Sequence, residues 1–474
     1  MTEDKINEVA DPEVVPRDEE EENLATDYLG LRDDEIREIC DALEEENTER
    51  IHDILLDLSP TDKAELLEKI TPDQRRALML GFAFDFEAEA ISNLVEDVRR
   101  SVLEEMTADQ VARIISDLES DDALDLIIPL DDEFQREIMR RLNAKTRIAI
   151  EEGLNFPEKS AGRLMQREFV AVPQFWTVGK TLDYIRAARE TLPDDFYDLI
   201  VIDPSYHVVG EIPLHRLLRG MRSEKIDDLK LKETHPIPAT MDQEEVATIF
   251  RNEGLASAPV VDNDGRIIGI ITYDDVIYVI DEEAEEDILK LGGVKSDDLY
   301  ASVGRTTVSR VKWLTINLMT AFMASYVVSL FDVTIEKIVA LAVLMPIVAG
   351  MGGNAGTQSM TVAVRALATN EISNANAWRV IAKETMVGSL NGIVFAVMIA
   401  LAAGFWFHSL GLGLVIGAAM IINLVVAGFF GAGIPVVLDK IGIDPAVASS
   451  VFLTTMTDVV GFFAFLGLAT LFLL

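Results

Sequence analysis

Residues 446–474 read AVASSVFLTTMTDVVGFFAFLGLATLFLL, and one residue in that run, Asp458, is ionisable. The run exceeds the roughly 20 residues that a helix needs to cross the hydrocarbon. A carboxylate at that depth costs roughly 2.5–3.5 kcal/mol on insertion scales and more by other estimates. Chains keep such a group where it faces a bundle interior or a watery path, usually for an ion, a proton or a polar substrate. Transport of a cationic cargo is the first reading. Helical spacing stacks Ala446, Ser450, Thr454 and Asp458 on one face, while Phe452, Phe462, Phe463 and Phe465 take other positions.

Four more stretches qualify as spans, at about 313–331, 338–356, 386–407 and 412–438. Arg305, Arg310 and Lys312 precede the first, Arg365, Arg379 and Lys383 lie between the second and third, and Lys440 lies between the fourth and fifth. Lys337 falls on the other side. The positive-inside rule then predicts a cytosolic N-terminal part and an outside C-terminus. The second span is expected to end in residues 346–359, PIVAGMGGNAGTQS, at a membrane face. Gly353, Asn354, Thr357 and Gln358 there are either ion-facing or a small-residue packing motif between helices.

The rest of the chain is of a different character. Twelve charged residues follow Trp313, seven acidic and five basic, so residues 1–312 hold 74 acids and 36 bases and carry −38 of the formal −40. Such acidity disfavours nucleic acid and anionic lipid; it fits divalent cations or a solubilising surface. Cys40 is the single cysteine, so an intrachain disulfide framework is excluded. Five scattered histidines lack metal-ligand spacing, and no signal peptide is visible in the polar, acidic first thirty residues.

Residues 1–30 are expected to be a disordered acidic tail. Residues 31–158 show short amphipathic helices, with caps expected at Ser59, Thr71, Thr107 and Ser120. A helical solenoid or superhelix follows, either a regulatory domain or a plain scaffold. From 159 the period changes. LIVID at 199–203 and HVVGEI at 207–212 read as strands, and the pattern returns at 258–262 and 266–272 across an Asn263-Asp264-Gly265 turn. These repeats resemble tandem CBS domains, over 159–225 and 226–281. Such pairs often bind adenosine ligands, ATP among them; a structural or ion-linked role is the alternative. A strongly acidic connecting helix is expected over 282–304, where like charges repel unless cations screen them.

Residues 346–366, with Gly352-Gly353-Asn354-x-Gly356-x-Gln358 followed by Val364-Arg365-Ala366-Leu367-Ala368, closely resemble the signature of the MgtE magnesium-channel family. The order of parts is similar too: helical N-domain, tandem CBS pair, acidic connecting helix, five spans (305–474). The resemblance implies a homodimer in the inner (plasma) membrane, with one pore at the dimer axis and a cytosolic module that binds Mg2+ and shuts it. It matches Asp458 to the pore carboxylate, with Ser450 and Thr454 beside it. It implies regulatory Mg2+ contacts at Asp121, Asp125, Asp275, Glu283, Glu286 and Asp287. Some relatives carry Asn where this chain has Ser450, and Asp where it has Gly254 and Tyr278.

The fold class expected is therefore multidomain: a helical superhelix, a tandem CBS (α+β) module and a five-helix transmembrane domain, homodimeric. The function expected is a Mg2+-selective, Mg2+-gated uptake channel, and no catalytic constellation points to an enzyme. A broader divalent transporter (Co2+, Mn2+) or an ion-coupled exchanger is the alternative. A membrane-anchored nucleotide or metal sensor is the rival of a different class.

Overall fold

The computed structural model describes residues 30–193, 195–231, 233–294, 303–369, 371–373 and 375–474. The expected acidic tail lies outside the described residues, apart from Gly30. The chain divides into two compact units, Met1–Ile280 and Asp281–Leu474.

The first unit opens with short helices running from Asp33–Glu44 to Ala144–Gly153. Their apolar faces meet in one core, in which Ile39, Leu55, Leu67, Leu78, Ile91, Leu103, Ile115 and Leu126 are fully buried. None of these helices can bury its stripe alone, so each depends on its neighbours. Three expected caps form: Ser59, Thr71 and Thr107 accept from the backbone N–H three residues on. The fourth does not. Ser120 is already the first residue of helix α1 (Ser120–Ile127), and Glu119 precedes it without a side-chain cap. The Ser120 hydroxyl instead donates to Glu168 Oε2 at 2.8 Å and accepts from the Arg167 backbone N–H at 2.8 Å. A partner 48 residues away has displaced the local one.

Two small sheets follow with one topology. β1 (Ala171–Pro173) pairs parallel with β2 (Asp198–Ile202), which pairs antiparallel with β3 (Val208–Pro213). β4 (Ile237–Pro238), β5 (Ser257–Val261) and β6 (Ile267–Thr272) repeat the pattern. The register shifts at the matching place in both, between Val201 and Ile202 and between Val260 and Val261. Ile200, Ile202, Ile267 and Ile270 form a buried cluster drawn from both sheets, and His207 bridges to Arg266. The repeat seen in the sequence is thus a pair of like modules packed together.

The segments expected as two helices, 274–280 and the acidic stretch from 281, form one helix, α2 (Tyr273–Leu291). Gly293, at φ +68°, ends it; a left-handed residue just past a helix end favours glycine. Residues 295–302 of the expected connector lie outside the described residues.

The second unit holds five helices long and apolar enough to cross a membrane. These are α3 (Val303–Ser329), α4 (Ala340–Ala368), α5 (Ala377–Trp406), α6 (Leu410–Lys440) and α7 (Pro445–Phe472). The motif at 346–359 does not end the second span; it lies inside α4, which runs on to Ala368. Glycine is a weak helix former, but here it is required for close approach. A Cβ on Gly352 would fall 2.3 Å from the Asn423 amide of α6. Helix packing therefore overrides propensity, as it commonly does between spans.

Candidate functional site

Helix α7 carries Ser450, Thr454 and Asp458 at intervals of four, one above another. All three line a cavity of about 230 Å³ between α7 and α3, together with Val451, Thr455, Asn317, Thr320 and Ala321. Ala446, the fourth residue of the expected stripe, does not line it; it is buried against Met360, Val364 and Leu453. The threonine hydroxyls are already committed as donors. Thr454 Oγ1 donates to the Ser450 carbonyl at 2.9 Å, Thr455 Oγ1 to Val451 at 2.7 Å and Thr320 Oγ1 to Asn317 at 2.8 Å. What they present to the cavity is oxygen lone pairs, beside a half-buried carboxylate.

Asn354, Thr357 and Gln358 do not join that cavity. They sit on an exposed face of α4, with Thr357 Oγ1 donating to the Gly353 carbonyl at 2.9 Å. Amides on a spanning helix are costly against lipid without a polar partner or water.

A second constellation lies in the first unit, where α1 begins near the start of α2. Asp121, Asp275, Glu119, Asp122 and Asp274 lie near enough for their charges to act on one another. Burial, then Asp275 and Asp122, push the Asp121 carboxyl well above the ordinary carboxylate range. Burial also lifts Asp275 to about 7, against the hydrogen bond that Thr272 Oγ1 donates to it at 2.8 Å. Glu119 rises to about 7 through burial and the neighbouring Glu168, and Asp122 to about 6 through burial and Asp125. Asp125 itself is engaged elsewhere, because Arg99 Nη2 pairs with it at 3.2 Å. Like charges gathered in a partly desolvated place resist ionising together. A bound cation would relieve that cost.

In the second unit, Glu283, Glu286 and Asp287 occupy neighbouring turns of α2. Lys290 Nζ lies 2.9 Å from Glu286 Oε1 and 2.8 Å from Asp444 Oδ2. Burial and the nearby Asp444 push the Asp287 carboxyl above its usual range. Among the described residues, no group of three or more His, Cys, Asp and Glu converges tightly enough to hold a metal ion as placed. These are clusters that a cation can draw together rather than a finished cage.

Glu119, Asp122, Asp274, Asp444, Asn317 and Thr320 went unnoticed in the sequence. A lone amide in an apolar span was the available signal for Asn317; Asp444, directly before Pro445, could have been read as a cap.

Between the CBS modules lies a cleft of about 750 Å³ lined by Phe196, Tyr197, Asp198, Glu211, His235 and Glu253 among others. Glu211 is buried there, and burial lifts it to about 7.

The comparisons agree with this layout. The family profile described as divalent cation transporter matches residues 345–468, the MgtE intracellular N domain matches 58–159, and the CBS domain matches 226–282. The magnesium transporter MgtE of Enterococcus faecalis is 34% identical over 324 residues, 68% of this chain and 71% of that one. That of Thermus thermophilus is 33% identical over 355 residues, 74% and 78% of the two chains. A crystal structure of the cytosolic domain of the Mg2+ channel MgtE in complex with ATP is 26% identical, covering 52% of this chain and 99% of that chain, with a TM-score of 0.47. Five apolar helices, two of which line an acid-bearing cavity, together with the family match over residues 345–468, make this a membrane transporter of divalent cations. The chain belongs to the MgtE family of magnesium transporters.

Proposed function

We propose that this chain is a Mg2+-selective, Mg2+-gated channel for magnesium uptake, with Asp458 as its pore carboxylate. The observation that carries this reading is the cavity itself: one carboxylate beside threonine hydroxyl oxygens whose protons are directed elsewhere, between helices long and apolar enough to span a membrane. Mg2+ sheds water reluctantly and is usually held by one or two carboxylates with several waters kept. A wall of acceptors suits the outward-pointing hydrogens of such waters.

The working unit is a homodimer in the plasma membrane, which would bring a second Asp458 to a shared axis. The exposed polar face of α4, with Gly353, Asn354, Thr357 and Gln358, would then face that axis or its water. The bias of basic residues to one side of the spans supports a cytosolic N-terminus and an outside C-terminus. Asp121, Asp125 and Asp275 in one unit, and Glu283, Glu286 and Asp287 in the other, are the regulatory contacts. Mg2+ bridging these acids favours the compact, closed arrangement, and scarcity releases it. The CBS cleft is the place for an adenosine ligand such as ATP. Its carboxylates oppose a bare triphosphate, so ATP would enter there with its charge screened by Mg2+.

The test is Mg2+ flux into liposomes carrying the wild type, Asp458→Ala or a chain lacking residues 1–280. Flux lost in Asp458→Ala, and flux no longer closed by Mg2+ in the truncation, support the reading. Unchanged flux in Asp458→Ala overturns the pore assignment. Uptake that follows a proton or Na+ gradient would instead make it an exchanger.

A further inference from the structure

The cavity around Asp458 has two walls, and one of them comes from the first span. Asn317 and Thr320, one turn apart on α3, line it opposite Ser450, Thr454 and Asp458. Both polar groups stand at similar depth along their helices. Asn317 lies fourteen residues into α3 and Asp458 thirteen into α7, each about 20 Å from its helix start at 1.5 Å per residue.

The Asn317 side chain differs from its neighbours in one respect. The hydroxyls of Thr320, Thr454 and Thr455 are tied to their own helix backbones. The Asn317 carboxamide has no hydrogen-bond partner among the described residues. It is partly exposed, on a helix that crosses the membrane. An amide at that depth with neither water nor a partner is costly. Asn317 and Asp458 line the same cavity: water there can accept from Nδ2, and Oδ1 adds an acceptor to a wall that otherwise offers a carboxylate and hydroxyl lone pairs.

We infer that Asn317 is a specificity-determining residue that contacts the hydrated divalent cation at Asp458, so that α3 forms part of the ion's path. This rests on the assignment of Asp458 as the cation site. A hydrated divalent cation carries water hydrogens in all directions, and the acceptors of α7 cover one side of it. Asn317 covers the other. A cation that sheds its water readily can bind the Asp458 carboxylate directly and depends less on the second wall. The amide therefore favours the tightly hydrated ion over softer or larger ones.

The experiment uses the full chain in liposomes and measures Mg2+ uptake alone and in competition with Ca2+ and Mn2+. Three variants are compared: Asn317→Leu, close in shape and without the amide, Asn317→Asp, which keeps the oxygen, and Asp458→Ala. The expected result for Asn317→Leu is a loss of Mg2+ uptake of about tenfold, the order that one hydrogen bond to a charged species supplies. Preference for Mg2+ over Ca2+ and Mn2+ should fall with it, and Asn317→Asp should recover the uptake. If Asn317→Leu melts like the wild type and shows wild-type uptake and competition while Asp458→Ala is dead, the inference fails and the pore assignment stands. If Asp458→Ala conducts normally, both fail. Should Asn317→Leu not fold, Asn317→Asp decides through a second readout: with maximal uptake recovered, a shifted half-saturating Mg2+ supports the role, and an unshifted value together with wild-type Ca2+ and Mn2+ competition overturns it.

Discussion

Lys290 Nζ lies 2.8 Å from Asp444 Oδ2, and Asp444 Oδ1 in turn accepts from the Ala446 N–H at 2.8 Å. The lysine at the end of the acidic helix is thus joined to the residue that caps the helix bearing Asp458. Lys290 also holds Glu286 at 2.9 Å, so one cation is shared between two carboxylates, with Asp287 beside them. A bound Mg2+ would compete with that ammonium. Lys290→Met should therefore raise flux when Mg2+ is scarce, because the standing contact is gone. It should also lower the Mg2+ needed for closure, by about fivefold for roughly 1 kcal/mol of a half-exposed pair. Flux through liposomes titrated with Mg2+ on the cytosolic face reads both effects. A superimposable titration would remove the link between this contact and gating.

Thr454 supplies a hydroxyl oxygen to the cavity one turn before Asp458. Its hydroxyl proton is committed to the Ser450 carbonyl, so only its lone pairs serve a cation. Thr454→Val keeps shape and helix packing but removes that oxygen; Thr454→Ser keeps the oxygen. Uptake is expected to fall about three- to tenfold in the first, the range for one lost hydrogen bond, and to stay near wild type in the second. Equal uptake in both would mean that the oxygen does not meet the ion.

The spans could be read from the sequence because membrane crossing is a property of length and hydropathy alone. The caps at Ser59, Thr71 and Thr107 were legible for a similar reason, since donor and acceptor lie three residues apart. Ser120 has the same local signal, but Glu168 captured its hydroxyl, and no local rule sees a partner that distant. The stretch 346–359 reads as the end of its span, either ion-facing or a packing motif; Asn423 beside Gly352 and Leu453 beside Gly356 bear out packing at those two glycines, in mid-helix. Asp458 announced itself by its cost. Asn317 did not, because an amide alone in a span says little until another helix places a carboxylate beside it.

The acidic cluster of the first unit makes a signed prediction about pH. Glu119 and Asp275 titrate near 7, Asp122 near 6, and Glu211 in the CBS cleft near 7. In the unfolded chain such groups titrate near the ordinary carboxylate value, roughly 4. Between those limits the folded state holds protons that the unfolded chain has released. Stability therefore falls as pH rises from roughly 4 to about 7. Residues 1–280, a compact unit with its own cores, should melt a few degrees lower at pH 8 than at pH 5. Mg2+ should restore the loss at pH 8 and do little at pH 5, where protons already neutralise the cluster. Asp275→Asn should flatten the pH dependence. A melting temperature that climbs with pH over this window would contradict the cluster's assignment.

Packing between α5 and α6 depends on backbone-to-backbone contact. A Cβ on Gly428 would fall 2.5 Å from the Glu384 carbonyl oxygen, a backbone atom that cannot step aside without moving α5. Glu384 itself is buried and accepts from Ser359 of α4 at 2.9 Å, so shifting α5 also strains that bond. Gly433, on the same helix, has nothing within 4 Å of such a Cβ. Gly428→Ala is expected to cost about 1–3 kcal/mol, the usual range for overpacking a well-filled contact. Gly433→Ala should be neutral or slightly stabilising, because alanine favours the helix. Thermal unfolding in detergent, followed by fluorescence, separates the two. Equal melting temperatures would show that α5 and α6 do not meet as closely at Gly428 as the structure has them.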